Sequence, residues 1–238
     1  MSSTGPDNTI IDGSGSESTT ITTHHPETWG VQIVLDGFTI ENQGSYGIQN
    51  GNSSTDGYPS VTFKNLIFND TDVTNIYWYS GYGGGIIDSI YAKGSVSLNY
   101  GSRTISNSYV KELHKTYETG DVTNCTIQNF ESYNYGGTIV NSIVYGNLNF
   151  SGDVQATYSN VPYNSYYFGT GCIDADPLFC NAGNNDFTLY DNSPCVSTGQ
   201  NGANMGAYGI GCNVTYGCAD PYAINYDINA MLDDGSCE

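Results

Sequence analysis

The sequence predicts an all-β fold, a right-handed parallel β-helix (a solenoid) that is followed by a small disulfide-bonded C-terminal module. A short strand motif recurs along most of the chain, which is typical of a repeat architecture. Gly, Asn, Ser, Thr and Tyr are abundant in a chain that is 38% hydrophobic, and this mix favours strands and turns. Six of the seven cysteines lie in the last third, which predicts a separate cross-linked unit there.

The recurring unit is a short apolar strand, then Asp or Asn, then a small residue, then a second apolar strand. It is clearest in VLDGFTI, ISNSYV, VTNCTI and IVNSIV. Its central positions are Asp12, Asp36, Asn65, Asp88, Asn107, Asn124, Asn141 and Ser159, which are 24, 29, 23, 19, 17, 17 and 18 residues apart. The shorter spacing fits one compact coil, and the longer early intervals predict inserted loops.

Asn and Asp suit the corner of such a coil because both tolerate left-handed backbone angles and bond to nearby backbone. Stacked Asn side chains can also bond from one coil to the next. We therefore expect the eight central residues to form a structural ladder, with equivalent residues about one strand spacing, roughly 4.8 Å, apart.

The repeat, with its opening NTIIDGSGS and VQIVLDGFTIEN, resembles the right-handed β-helix superfamily that includes pectate-lyase-like proteins. The resemblance covers about residues 8–212, including a DADPLF segment whose Asp174 and Asp176 it assigns to a closing turn. We therefore predict a parallel β-helix over residues 1–212 and a small disulfide-bonded acidic module over residues 213–238.

The net charge of −19 comes from five Lys and Arg against twenty-four Asp and Glu. Nucleic acid is excluded as a partner because its binding needs cations that replace phosphate counterions. Insertion into a membrane is not expected, since no stretch is long and apolar enough. The acidity fits calcium, which prefers oxygen ligands, and it fits equally well a role in solubility alone.

The clustered cysteines, Cys172, Cys180, Cys195, Cys212, Cys218 and Cys237, have no neighbouring His and indicate disulfides rather than zinc. Six cysteines allow fifteen pairings, so the connectivity stays open. We expect an extracellular, cell-surface or virion-surface location. The residues after Met1 contain no apolar core of a signal peptide, so we expect a longer secreted parent or another route of release.

The last segment, GCADPYAINYDINAMLDDGSCE, is too short for a core and predicts stabilisation by a disulfide and a metal. Oxygen side chains alternate there, and the calcium (Ca2+) candidates are Asn225, Asp227, Asn229, Asp233 and Asp234. The spacing departs from that of an EF-hand, and a plain acidic turn is the alternative. The segment resembles short GC-x-DP…DDGSC modules in surface proteins of marine microbes and their viruses.

Catalytic residues are not identified by the sequence. The resemblance to polysaccharide lyases implies a basic residue that abstracts a proton, and the weak candidates are Lys93, Arg103, Lys111, His114 and Lys115. These residues lie close together in the sequence and predict a basic patch, or alternatively a solvated loop with weak ion pairs. Adjacent Asp pairs, which would indicate a glycosidase of this fold, are missing from the repeats.

Tyrosine is in excess, with twenty-one copies, and aromatic rings with a polar tip suit sugar faces. The ligand-binding candidates are Tyr77, Trp78, Tyr79 and Tyr82; the alternative is that tyrosines stack along the solenoid. The leading hypothesis is a non-enzymatic protein for adhesion or carbohydrate binding. The alternatives are a polysaccharide lyase or glycosidase, and a structural fibre subunit that self-associates or trimerises.

Overall fold

The computed structural model describes residues 9–15, 18–23, 32–50, 60–79, 84–133, 136–163, 166 and 168–238. Seventeen strands form one sheet, which winds into a nearly closed, solenoid-like arrangement. The prediction of an all-β fold built on parallel strands, with disulfides near the C-terminus, is confirmed.

The strands of this sheet are β1 (Ile10–Asp12), β2 (Thr19–Thr23), β3 (Gln32–Asp36), β4 (Thr39–Glu41), β5 (Tyr46–Asn50), β6 (Ser60–Lys64), β7 (Ile67–Phe68), β8 (Thr74–Tyr79), β9 (Gly84–Asp88), β10 (Tyr91–Ser106), β11 (Tyr109–Glu118), β12 (Val122–Thr123), β13 (Thr126–Tyr133), β14 (Thr138–Val140), β15 (Ile143–Val144), β16 (Leu148–Ser151) and β17 (Gln155–Thr157).

Each strand pairs in parallel with the equivalent strand one coil away, and three columns result. The first column contains β3, β6, β9, residues 102–106 of β10, β12, β14 and β17. The second contains β1, β4, β7, the first two residues of β10, β11 and β13, and β15. The third contains β2, β5, β8, the later parts of β10, β11 and β13, and β16.

The core lies inside the three columns because every second residue of a strand points inward. In the first column the inward positions stack in register as Phe63, Ile87, Ile105, Val122, Ile139 and Ala156, and all of them are fully buried. A large aliphatic side chain gains about 1.5–3 kcal/mol from such burial. Each coil therefore stabilises the coils on either side of it.

Between the first and second columns, each coil turns at a residue with left-handed backbone angles. These corner residues are Gly37, Asn65, Ser89, Asn107, Asn124, Asn141 and Tyr158. Amide side chains join successive corners, since Asn107 donates to Asp88 Oδ1 (2.8 Å) and Asn124 donates to Asn107 Oδ1 (3.1 Å). Asn65 likewise bonds to Asp36 Oδ1, and this bond lowers the pKa of the Asp36 carboxyl.

The structure corrects four of the predicted ladder positions. Asp36 and Asp88 lie one residue before the corner, although their carboxylates accept the bonds from Asn65 and Asn107. Ser159 lies one residue after the corner. In the pairs Asp36-Gly37 and Asp88-Ser89, both residues are compatible with a turn. The second residue of each pair takes the left-handed conformation, with φ of 81° at Gly37 and 55° at Ser89. Asp12 lies in a different column, because β1 pairs with β4 of the second column.

Beyond Ile173 the chain leaves the columns and forms β18 (Phe179–Asn181), β19 (Asp186–Tyr190) and β20 (Ile210–Cys212). Here β18 and β19 are antiparallel, and β19 and β20 are parallel. Two short 3-10 turns, Ala182–Asn184 and Gln200–Gly202, connect them. We call residues 179–210 the returning segment, because it packs back onto the outside of the second column.

Three backbone contacts fix the returning segment. Gln200 N donates to Asn141 Oδ1 (2.6 Å), Gly206 N donates to Asn141 O (2.7 Å), and Ala207 N donates to Thr126 Oγ1 (3.0 Å). A second small core lies between the returning segment and the second column, and it is built on Ile143, Leu189, Cys195 and Met205. Around Thr126 and Ile143, the second column is therefore covered on its inner face by the solenoid core and on its outer face by the returning segment.

Two disulfides join Cys180 to Cys212 and Cys218 to Cys237. The expectation that all six clustered cysteines are bridged is corrected for Cys172 and Cys195, which are thiols. Cys195 lies in the second core, where its Sγ accepts a hydrogen bond from Asn160, and Cys172 packs against the solenoid core. Their positions are set by packing, and the two disulfides indicate an oxidising environment.

The terminal module, residues 213–238, contains β21 (Tyr216–Gly217) and β22 (Leu232–Asp233), which pair in parallel. β21 lies just before the loop that the second disulfide closes, and β22 lies within it. Among the described residues, no helix has the length and apolar character that crossing a bilayer requires.

Candidate functional site

The outer face of the third column presents tyrosines. In β8, Ile76 and Trp78 point inward, so the alternating residues Tyr77 and Tyr79 point outward. Their rings stack at a centroid distance of 6.1 Å with an angle of 9°, and Tyr46 from the coil above lies 5.0 Å from Tyr77. We call Tyr46, Tyr77 and Tyr79 the tyrosine face. Partial burial is the main cause that raises the pKa of Tyr77, and the nearby phenols of Tyr46 and Tyr79 raise it further.

One of the four predicted ligand-binding residues, Trp78, does not belong to this face. Trp78 is only 3% exposed, and its ring packs against Phe63 (5.3 Å between centroids) and under the Arg103 guanidinium (4.8 Å). The prediction for Trp78 is therefore wrong, because strand alternation places it in the core. Tyr82 lies outside the described residues.

Polar side chains continue the tyrosine face along the solenoid. Register places Ser97 and then His114 in line with Tyr77, and Asn99 in line with Tyr79. His114 lies between two carboxylates, with Nδ1 3.6 Å from Glu131 and Nε2 3.9 Å from Glu112. The face therefore combines exposed rings with hydrogen-bonding groups.

The predicted basic patch is not assembled. Arg103 and Lys115 point into the solenoid and are fully buried, whereas Lys93, Lys111 and His114 lie on the outside. The prediction that all five cooperate at one surface is corrected for the two buried residues. The signal was present in the sequence, since Lys115 follows Leu113 by two residues and shares its inward direction.

The buried cations are held by a specific network. Glu118, also fully buried, accepts hydrogen bonds from Arg103 Nη1 (2.9 Å) and from Arg103 N (2.8 Å). Lys115 Nζ donates to Gly120 O (2.5 Å) and to Arg103 O (3.3 Å). Burial lowers the pKa of Lys115 to about 8, and the nearby Glu118 partly opposes the shift. This network lies inside a coil and is closed to solvent.

Glycine at position 120 is required by this network. A Cβ there would overlap the backbone of Arg103, which runs directly beside it in the neighbouring coil. The close approach lets the Gly120 carbonyl reach Lys115, so the site depends on the absence of a side chain.

The predicted calcium ligands are spread over separate turns of the terminal module. Asp227 accepts a hydrogen bond from Asn229 N (2.9 Å), Asp233 from Gly235 N (2.8 Å) and Asp234 from Ser236 N (2.9 Å). Asn225 donates to Ser236 O and accepts from Glu238 N. In the part of the chain that the structure describes, no three His, Cys, Asp or Glu side chains are grouped to hold a metal. Calcium binding stays a prediction.

Comparison of the chain with protein-family models, with curated proteins and with solved structures finds no match. The function must therefore be inferred from the geometry of the surface.

Proposed function

We propose that this protein is a non-enzymatic, right-handed parallel β-helix of the pectate-lyase-like type that binds carbohydrate outside the cell or on a particle surface. The observation that supports the binding role best is the stacked, outward pair of Tyr77 and Tyr79. A β-strand holds both rings at fixed spacing, so little side-chain entropy remains to be lost when a ligand binds.

The tyrosine face suits neutral sugars. Sugar rings present C–H faces that pack on aromatic rings, and their hydroxyls need hydrogen-bonding partners nearby. Ser97, Asn99 and the phenol oxygens of Tyr77 and Tyr79 offer those partners. The coils are about 4.8 Å apart, so a saccharide chain can contact several of them in succession.

Two further observations support the handedness and the location. Parallel strands joined by crossover connections in one sheet are right-handed in about 98% of cases. The column of left-handed Asn corners agrees with the resemblance to pectate-lyase-like proteins. The two disulfides favour an oxidising compartment, which fits an exposed protein.

The experiment is a screen of neutral oligosaccharides and polysaccharides against the wild type and a Tyr77→Ala/Tyr79→Ala double variant. We expect the double variant to lose binding about tenfold or more, which corresponds to about 1.4 kcal/mol. Tyr222→Ala is the matched control, since Tyr222 is exposed in the terminal module. Equal binding by wild type and double variant would overturn the proposal.

A polysaccharide-cleaving activity is the second candidate, and the position of His114 favours it. This imidazole lies on the same face as the tyrosines and within 4 Å of both Glu112 and Glu131, an arrangement suited to proton transfer. The same screen tests it when unsaturated and reducing sugar ends are measured. Turnover that disappears in His114→Ala would replace the binding role with catalysis.

A further inference from the structure

A groove of about 330 Å³ separates the second column from the returning segment, on a different side of the solenoid from the tyrosine face. Lys93, Lys111 and Gln128 line it from three successive coils. Asn185 and Phe187 line it from the returning segment. The groove is therefore built by two parts of the chain that meet only in the folded protein.

The groove contains two of the few cations in the protein. The chain has five Lys and Arg residues, and all five are described. Arg103 and Lys115 are inside the solenoid, and Lys64 pairs with Asp36 at 3.1 Å. Lys93 and Lys111 directly follow the paired residues Ala92 and Val110 of neighbouring coils, at a bulge where Lys93 and Gly94 both lie opposite Lys111.

The neighbouring charges leave room for an anion. Lys111 Nζ lies 3.8 Å from Asp72, whose side chain is 92% exposed, and 3.4 Å from Thr71 O. Lys93 Nζ lies 5.9 Å above the ring of Tyr91. A solvated ion pair at that distance is weak, so a bound anion can replace it at low cost.

The walls of the groove are aromatic. Tyr109 stacks on Phe187 at 4.2 Å, and Tyr145 contacts Phe187 at 5.8 Å. The Tyr109 and Tyr145 hydroxyls are 3.4 Å apart. Burial raises the pKa of both phenols, so they stay neutral next to the lysines. Tyr109 and Phe187 are only 3% and 4% exposed, so they form the closed floor of the groove, whereas Tyr145 is partly exposed. A sugar ring can pack on Tyr145 while a charged substituent reaches the ammonium groups.

We propose that the groove binds a sugar carrying a sulfate or phosphate monoester. A lysine ammonium acts as a point charge, and two of them from adjacent coils can share an anion with three terminal oxygens. A planar carboxylate is matched better by the fork of an arginine. The amides of Gln128 and Asn185 supply further donors at the rim.

A second, wider cavity of about 750 Å³ shares Thr71 and Lys111 with the groove and extends toward the third column. Asp72 and Glu112 line this cavity. Because carboxylates repel an anion, the ester lies at the Lys93 end, and uncharged parts of a longer saccharide extend along the wider cavity.

The test titrates the full-length protein with galactose 6-sulfate, galactose 6-phosphate, galactose and inorganic sulfate, by calorimetry at low and at moderate salt. We expect one or both esters to bind at least about tenfold more tightly than galactose, with an affinity that falls as salt increases. The ester that binds more tightly shows whether the groove prefers a sulfate or a phosphate group.

Lys93→Gln/Lys111→Gln should reduce ester binding about tenfold or more, whereas Lys64→Gln, a matched change at a paired surface lysine, should leave it unchanged. Tyr145→Leu, at the partly exposed ring of the groove, should weaken the sugar esters and leave inorganic sulfate unaffected. Far-ultraviolet circular dichroism verifies that each variant is folded.

Three results would overturn the proposal: esters that bind no better than galactose, esters that bind equally to the double lysine variant, or inorganic sulfate that binds as tightly as the esters. The Tyr77→Ala/Tyr79→Ala variant should keep its ester binding. Failure of ester binding in the groove can therefore be distinguished from failure of neutral-sugar binding at the tyrosine face.

Discussion

The middle coils, residues 84–133 and 136–144, and the terminal module, residues 213–238, are held in place by different means. In the middle coils, inward side chains such as Ile105 and Val122 are fully buried, and each coil is paired on both sides. In the module, Tyr222 is 95%, Ile224 94% and Ile228 80% exposed, and one disulfide closes the loop. Stability in the coils is thus shared among neighbours, whereas the module depends on a single covalent link.

The largest effect is expected inside the coils. Glu118→Ala would leave the Arg103 guanidinium buried without its carboxylate, and we expect a loss of about 3–5 kcal/mol in the free energy of unfolding. Glu112→Ala is the matched control, because Glu112 contacts His114 at the surface and should cost about 1 kcal/mol or less. Urea unfolding measures both. Similar values for the two variants would show that the buried network is not part of the coil's stability.

The disulfide of the module comes next. Cys218→Ser/Cys237→Ser opens a loop with a sequence separation of 19, which should destabilise the module by about 3 kcal/mol. Hydrogen exchange should then become fast in residues 213–238 while the middle coils keep their protection. Faster exchange in the middle coils as well would break the distinction between the two regions.

The pH dependence tests the buried lysine. The folded pKa of Lys115 is about 8, below the ordinary value of 10.5, so the unfolded chain binds more protons between these values. Its contribution to stability therefore rises with pH across that window, by about 3 kcal/mol at most. The stability of the wild type relative to Lys115→Met should increase between pH 7 and 9.5. The wild type must be compared with Lys115→Met, because buried thiols and phenols with a raised pKa lower the stability of both proteins at higher pH. A flat difference would place the titration of Lys115 outside this range.

A smaller effect is expected at the corners. Asn107→Ala removes two amide bonds and places a Cβ-bearing side chain without polar groups at φ 50°, which should cost about 2 kcal/mol. Asn107→Gly keeps the left-handed angle available and should cost about 1 kcal/mol. Thermal unfolding of the two variants separates backbone strain from the lost side-chain bonds. Equal losses would assign the whole effect to the bonds.

The smallest effect is expected from calcium. Asp227, Asp233 and Asp234 each accept a backbone bond within their own turn, and calcium bound by these carboxylates should raise the melting temperature of the module slightly at millimolar concentration. An unchanged melting temperature would contradict the calcium site. A rise in melting temperature that Asp227→Ala abolishes would establish the calcium site that the sequence predicts and would give the module a second stabilising element.

The repeat was predictable because the hydrophobic period and the Asn corners follow directly from the geometry of a coil. The register was predictable only to within one residue where two turn-compatible residues are adjacent, as at Asp36 and Gly37. Asp12 was misplaced because second-column strands resemble first-column strands in sequence.

The site was less predictable. Strand alternation separates Trp78 from Tyr77 and Tyr79, because successive residues of β8 point to opposite sides of the sheet, whereas proximity in sequence alone groups all three. The groove could not be predicted, since Phe187 and Asn185 approach Lys111 only through the returning segment. Contacts across such sequence distances leave no local pattern.

Asn141 has a consequence for how the chain becomes organised in time. Its side chain accepts a bond from Gln200, 59 residues later, where the earlier corners Asn107 and Asn124 bond to each other. The earlier coils can stack one after another as the ribosome releases them. The outer face of the second column becomes covered only after the returning segment has been synthesised. A nascent chain that ends before residue 179 therefore leaves Ile143 and Tyr145 uncovered, and synthesis of the returning segment is the step that hides them.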